Sequence, residues 1–167
     1  DFIEVAGQSR INVKIKSNTE TDINGTGAIV SPQDVNKLSR KLKGLLKEGD
    51  WLVVCGSIPP SLPETVYADL FKKLHAVSGV KLVVDACGRT LKETLKYRPF
   101  LIKPNIYELC DLFGLSAVPD VENVYACARK LQQAGARNVI VSMGSSGAAM
   151  VTETEQSLFV RAARGQL

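Results

Sequence analysis

The 167-residue chain holds one histidine, one tryptophan, four cysteines and only 6% aromatic residues, and each scarcity removes a class of chemistry. With His75 as its one imidazole, the chain has almost nothing from which to build a histidine metal site or a Ser/His/Asp or Cys/His nucleophile system. His75 falls at the polar end of a predicted helix and reads as a surface residue. Cys55, Cys87, Cys110 and Cys127 form no C-x-x-C pair and lie in apolar or helical segments. They are expected as reduced, small core residues rather than a disulfide framework. The longest clean apolar run, Trp51–Cys55, is far short of the roughly 20 residues that span a bilayer, so no membrane partner is expected. The opening stretch is short and polar and lacks the basic and apolar regions of a signal peptide, which points to a cytoplasmic protein. No G-x-x-x-x-G-K-[ST] occurs and no G-x-G-x-x-G follows a first strand, so P-loop and dinucleotide-binding readings lose their support.

What remains is an ordinary globular composition of 45% hydrophobic and 23% charged residues, enough for one domain with a real core. The 21 basic and 17 acidic residues leave a net charge of +4. Lysines such as Lys37, Lys41, Lys43 and Lys47 are spread along a predicted helix with no stacking aromatics between them. They read as a solvated face, and no nucleic-acid partner is expected.

The chain has two textures. Residues 1–23 alternate apolar and polar side chains, with Phe2 and Ile3 near the start and then Ile11, Val13 and Ile15 against Asn12, Lys14 and Lys16. That period of two predicts half-buried antiparallel strand, with turns at Ala6-Gly7-Gln8 and Ser17-Asn18. From Ser31 onward helices alternate with short apolar runs. Ser31-Pro32-Gln33-Asp34 is a helix start with proline at the first helical position and an acid three residues after the cap; Gly49 is its expected stop. A buried strand at Trp51–Cys55 follows. Further helices are predicted at 63–77, 90–96, 106–113 and 121–134, with strands at 81–84, 100–102 and 138–142 between them. Residues 148–151 and 157–160 read as a final strand pair. This rhythm implies an α/β fold: a mostly parallel sheet with helices on both faces, residues 25–167, preceded by a small β lid, residues 1–24.

In an open parallel sheet ligands bind beyond the carboxyl ends of the strands. Those ends are unusually polar here. Gly56-Ser57-Ile58-Pro59-Pro60 follows one strand, Asp85 the next, Lys103-Pro104-Asn105-Ile106-Tyr107-Glu108 the third and Ser142-Met143-Gly144-Ser145-Ser146-Gly147 the fourth. Each piece has a bland explanation: a turn, a helix cap or, for Asn105 with Glu108, a capping box. Together they would line one rim and supply what phosphoryl transfer needs, namely phosphate-holding amides and cations and carboxylates for magnesium. Glycine at 144 and 147 would let backbone amides approach a nucleotide.

The set Gly56-Ser57-Ile58-Pro59-Pro60, Lys103-Pro104-Asn105-x-x-Glu108 and Ser142-x-Gly144-x-x-Gly147, in this order, resembles the ribokinase/PfkB family of carbohydrate kinases. Its most specific part is K-P-N-x-x-E. Arg10-Ile11-Asn12-Val13-Lys14 and Asp22-Ile23-Asn24-Gly25 further resemble the branch of 1-phosphofructokinases and tagatose-6-phosphate kinases. The resemblance implies an ATP- and Mg²⁺-dependent kinase acting on a ketohexose phosphate, with fructose 1-phosphate as the first choice and tagatose 6-phosphate as the alternative. A different class, a non-catalytic nucleotide-binding α/β module, stays open beside it. The resemblance carries Arg10, Asn12 and Ser57 to the sugar side, Lys103, Asn105, Ser142, Gly144 and Gly147 to the nucleotide, and Glu108 and Asp85 to the metal. It also implies a homodimer formed through the lid.

One family element has no match. The Gly-Ala-Gly-Asp segment whose aspartate serves as general base does not occur before Arg164-Gly165-Gln166-Leu167, and the family's sugar-gripping Asp and Gly-Gly pair do not occur after Asp1. The chain therefore reads as the central part of a kinase, with no catalytic base of its own and no turnover expected from it alone.

Overall fold

The computed structural model describes residues 2–17, 20–75 and 77–163. Two strands, β1 (Asn12–Lys16) and β2 (Glu20–Asn24), pair antiparallel as a small separate sheet, with Val13 opposite Ile23. The chain then runs through α1 (Pro32–Leu45), β3 (Trp51–Cys55), α2 (Val66–Leu74), β4 (Lys81–Asp85), α3 (Gly88–Thr94), β5 (Leu101–Ile102), α4 (Ile106–Phe113), α5 (Val121–Gln133), β6 (Asn138–Ser142), β7 (Ala148–Val151) and β8 (Ser157–Val160). Strands β3 to β8 form one six-stranded sheet in sequential order, parallel from β3 to β6 and antiparallel through β7 and β8.

The local signals act as the sequence predicts. Ser31 caps α1: its hydroxyl accepts from the Asp34 N–H, the Asp34 carboxylate accepts from the Ser31 N–H, and Pro32 opens the first turn. The helix ends at Leu45, four residues before the expected stop at Gly49. Helix α2 is shorter than the predicted 63–77, because turns occupy both flanks, with the Val66 N–H on the Pro63 carbonyl and the Val77 N–H on the Leu74 carbonyl. His75 is its exposed C-cap, as expected. The predicted helix at 90–96 is α3 followed by a 3₁₀ turn, Leu95–Tyr97.

The mostly parallel sheet is present, and the crossover helices α2 to α5 of this chain pack on one face of it. A right-handed crossover that always advances to the next strand returns every helix to the same side. Accordingly Leu52, Val54, Val84, Ile102, Val139, Val141 and Ala149 share one core with Phe71 of α2, Leu91 of α3, Leu109 of α4 and Val124 of α5. On the other face Trp51 is 52% and Val53 57% exposed. Strand β3 is thus buried on alternate residues only, and not throughout as its apolar composition suggested.

Two other expectations fail. The half-buried strands of residues 1–23 reduce to β1 and β2; Phe2 and Ile3 lie in no strand, and every residue of β1 is exposed because no described helix packs beneath it. The Ser17-Asn18 turn includes Asn18, which lies outside the described residues, as do Asp1 and residues 164–167. Of the four cysteines, Cys110 and Cys127 are buried as expected, but Cys55 and Cys87 are exposed, since they sit at strand ends on the rim. Burial pushes the Cys127 thiol pKa up.

Candidate active site

Because β3, β4, β5 and β6 are parallel neighbours, the segments leaving them come out side by side. Asp85 closes β4 opposite Cys55, and Lys103 follows β5, its N–H bonded to the Val84 carbonyl at 3.1 Å. The Lys103 Nζ reaches the Asp85 Oδ2 at 3.2 Å, with both side chains about two-fifths exposed. The sequence pointed to both residues but to separate tasks for them; what joins them is strand adjacency, which spacing alone does not encode.

The three residues assigned to the sugar side also meet. Arg10 Nε donates to Asn12 Oδ1 at 2.9 Å, and Arg10 Nη1 donates to Ser57 Oγ on the loop after β3. The second contact spans 47 positions of sequence, and the two together fix the planar guanidinium between β1 and the loop after β3. A cleft of about 770 Å³ lies there, lined by Arg10 and Ser57 together with Gln8, Ser9, Asn24 and Thr26. Asn12 is absent from that lining and serves to hold Arg10. The four further polar residues were missed because they stand in turns beside the strands, where polarity is ordinary; the hint was their density in the 7–9 and 24–27 segments.

Tyr67, on α2, was also missed. Its hydroxyl donates to the Cys55 carbonyl at 2.7 Å and approaches the Gly56 carbonyl at 3.3 Å, pinning the base of the Ser57 loop. Burial, with the neighbouring Cys55 thiol adding to it, raises the Tyr67 pKa, so the phenol stays a donor at neutral pH. Nothing in the helical periodicity distinguishes it from a core aromatic.

Among the residues assigned to the nucleotide and metal, the bland reading of Asn105 and Glu108 is fully realised. Asn105 Oδ1 accepts from the Tyr107 and Glu108 N–H groups at 2.9 Å each, and Glu108 Oε2 accepts from the Asn105 N–H at 2.8 Å. One Glu108 oxygen is therefore spent on capping α4 and the other is uncommitted by that cap. Ser142 is joined to this segment by a parallel bridge to Asn105 and by its N–H to the Pro104 carbonyl at 3.1 Å. The following turn closes with the Met143 N–H on the Gly147 carbonyl and the Gly147 N–H on the Gly144 carbonyl. Gly144 faces open space. Gly147 is different: at φ 117° a β-carbon would run into the Val160 carbonyl, so packing against the segment after β8 already demands glycine there.

Among the described residues no group of three or more His, Cys, Asp or Glu side chains is placed to hold a metal. Asp85 and the free oxygen of Glu108 fit only the lighter demand of a hydrated Mg²⁺, which binds one or two carboxylates and otherwise waters and substrate phosphates.

Comparison with known proteins places this geometry. The model of the pfkB family carbohydrate kinases matches residues 1–166. The chain is 40% identical over 169 aligned residues to the 1-phosphofructokinase of Bacillus subtilis, covering 99% of this chain and 54% of that protein. It is 33% identical to the D-tagatose-1-phosphate kinase of Bacillus licheniformis, covering 100% and 54%. The tetrameric inhibited form of phosphofructokinase-2 from Escherichia coli superposes with a TM-score of 0.81 at 25% identity, covering 95% of this chain and 53% of that one. The chain thus spans about half the length of the relatives it matches. With a family match along nearly its whole length and the strand-end motifs gathered on one rim, the chain belongs to the pfkB family of carbohydrate kinases.

Proposed function

We propose that the protein to which this chain belongs transfers the γ-phosphoryl group of ATP to the 6-hydroxyl of fructose 1-phosphate, forming fructose 1,6-bisphosphate. The observation that carries this reading is the Arg10 cluster: a guanidinium held by Asn12 and Ser57 at the mouth of a polar cleft, with its remaining N–H groups free to take a sugar phosphate bidentately. Ser57 orients both Arg10 and the bound sugar. Lys103 and the amides of the 142–147 turn face the nucleotide phosphates, and Asn105 fixes the start of α4 beside them. Magnesium, when bound, neutralises charge on the transferred phosphoryl group. Asp85 and the uncommitted Glu108 oxygen would hold it, through waters. We place the base that takes the sugar hydroxyl's proton outside this chain.

The relative named for D-tagatose 1-phosphate supports a second ketohexose phosphate as an alternative acceptor. Coupled turnover of the full-length protein with fructose 1-phosphate, tagatose 6-phosphate and D-tagatose 1-phosphate decides among them. The highest kcat/KM belongs to fructose 1-phosphate on this reading. A higher value for either tagatose ester moves the assignment to that sugar, and no turnover with any of them favours a non-catalytic nucleotide-binding module.

We also infer a homodimer through the lid. Val13, Ile15 and Ile23 are 46%, 49% and 57% exposed, and Val13 and Ile23 are register partners, so they form one apolar patch on a two-stranded sheet. The exposed thiols Cys55 and Cys87 suit the reducing cytoplasm, and no described helix is long and apolar enough to cross a membrane.

A further inference from the structure

At the opposite pole of the sheet, where the strands begin, three turns are drawn together around a cleft of about 840 Å³. Arg98 precedes β5, Arg137 immediately precedes β6, and the 152–156 turn joins β7 to β8. Since β7 runs antiparallel, that turn returns to the same pole. Ser57, Asp85, Lys103 and Ser142 lie at the other ends of the strands.

The cleft is built rigidly. The Arg137 N–H bonds to the Pro99 carbonyl at 2.9 Å, and Gln132 Nε2 donates to both the Arg137 carbonyl at 2.8 Å and the Thr152 carbonyl at 2.9 Å. Asn138, only 5% exposed, donates to the Phe100 carbonyl and accepts from the Glu153 N–H. Gly135, at φ 135°, lets the turn after α5 press against the Leu95 carbonyl, where any β-carbon would collide.

The charges on this scaffold are not balanced. Arg137 is spent, with its Nε 2.7 Å from Glu153 Oε2 and its guanidinium over the Phe100 ring. Among the described residues Arg129 donates only to the neutral Ser157 hydroxyl, at 2.9 Å. Arg98 has no side-chain partner among the described residues, and Glu155 is the one acid left to face both. Moreover, Arg98 (φ 50°) and Glu155 (φ 62°) are the two non-glycine residues in the left-handed region among those described, and both line this cleft. That backbone is costly for residues with a β-carbon and tends to persist where function holds it.

We propose that this cleft is a second anion site, which takes a small phosphorylated molecule between the Arg98 and Arg129 guanidinium groups, remote from the sugar and nucleotide rim. Two planar forks with uncompensated charge suit phosphate oxygens, and the pinned turns spare the site the entropic cost of assembling itself.

Inorganic pyrophosphate, titrated calorimetrically into the full-length protein, tests this. The wild type has binding at both the rim and the pole. Arg98→Gly combined with Arg129→Gln weakens the pole component at least 10-fold and leaves turnover in anion-free buffer unchanged, whereas Arg10→Ala weakens only the rim component. Arg98→Gly alone also raises the melting temperature without anion, because glycine accepts the left-handed backbone, and yet reduces the melting-temperature rise that pyrophosphate produces. Glu155→Gln, which removes the opposing carboxylate, tightens binding. An unchanged titration in the double variant overturns the proposal, as does loss of all binding in Arg10→Ala or a wild type that binds no pyrophosphate.

Discussion

Lys103 Nζ stands 3.2 Å from Asp85 Oδ2, tying the residue after β5 to the last residue of β4. An ion pair this exposed contributes about 0–1 kcal/mol to stability, so a structural role and a chemical one separate cleanly by mutation. We predict that Lys103→Met and Asp85→Asn each change the unfolding free energy of the full-length protein by less than about 1 kcal/mol. Both lower kcat at least 10-fold, Lys103→Met with a raised KM for ATP. Wild-type kinetics in both variants would reduce the pair to a surface contact.

Glu108 and Asn105 carry a structural role that must be separated from a chemical one. Glutamine preserves a capping box as well as glutamate does, since only one side-chain oxygen accepts the cap N–H. Glu108→Gln is therefore expected to unfold like the wild type while losing activity and requiring more Mg²⁺. Asn105→Ala leaves the Tyr107 and Glu108 N–H groups uncapped and costs about 1 kcal/mol, read as a shift in the denaturation midpoint. If Glu108→Gln keeps full activity at low Mg²⁺, the residue is a cap and nothing more.

Arg10 gives the sharpest test of the sugar side. Losing charge-assisted hydrogen bonds to a phosphate costs about 1.5–3 kcal/mol, or roughly 10- to 100-fold in kcat/KM. Arg10→Ala should show that loss for the sugar phosphate with little change in KM for ATP. Arg10→Lys keeps the charge but loses the fork, so it should recover only part of it. Asn12→Ala should be milder than either, because it only loosens the guanidinium. Equal effects on both substrates would mean that Arg10 organises the whole site and does not read the sugar phosphate.

Much of this was legible in the chain itself. Strand and helix boundaries such as Trp51–Cys55, Ile106–Phe113 and Asn138–Ser142 follow from buried apolar runs and caps, which are local signals. The rim residues were legible because strand ends are sequence positions. Helix placement on one face was not, since it depends on strand order: the same βα rhythm with a reversed order would cover both faces. For the same reason Trp51 and Val53 read as core although their side of β3 is open. Tyr67 and the second arginine cluster escaped because hydrogen bonds to backbone carbonyls and a left-handed backbone at Arg98 and Glu155 leave no compositional trace.

The cap of α1 has a definite pH signature. The Ser31 hydroxyl, then Lys37, then the Ser31 N–H hold the Asp34 carboxyl at about 2, below its ordinary value of 3.8. A depressed carboxylate stabilises the fold fully above its unfolded pKa and loses that contribution as pH falls through the folded one. The stability difference between wild type and Asp34→Asn should thus be constant above pH 3.8 and shrink as pH drops toward 2. Denaturation midpoints across this range measure it, and a difference that grows on acidification contradicts the assignment.

By itself, the 167-residue chain should bind without catalysing. It holds the Arg10 cluster, the Lys103–Asp85 pair and the Gly144 turn, which are the groups proposed above to hold the phosphates. Taking the proton from a sugar hydroxyl needs a carboxylate or neutral imidazole within hydrogen-bond reach, and such help is worth roughly 10²–10⁴-fold. Asp85 is engaged by Lys103, Glu108 caps α4, and His75 stands at the C-terminal end of α2, where the chain returns to the start of β4. None of them fronts the Arg10 cleft, whose polar lining is arginine, amide and hydroxyl. The purified chain with Mg-ATP and fructose 1-phosphate should accordingly give no turnover above background, even where it still binds nucleotide. Clear turnover from the purified chain would put the base inside it and overturn this assignment of roles.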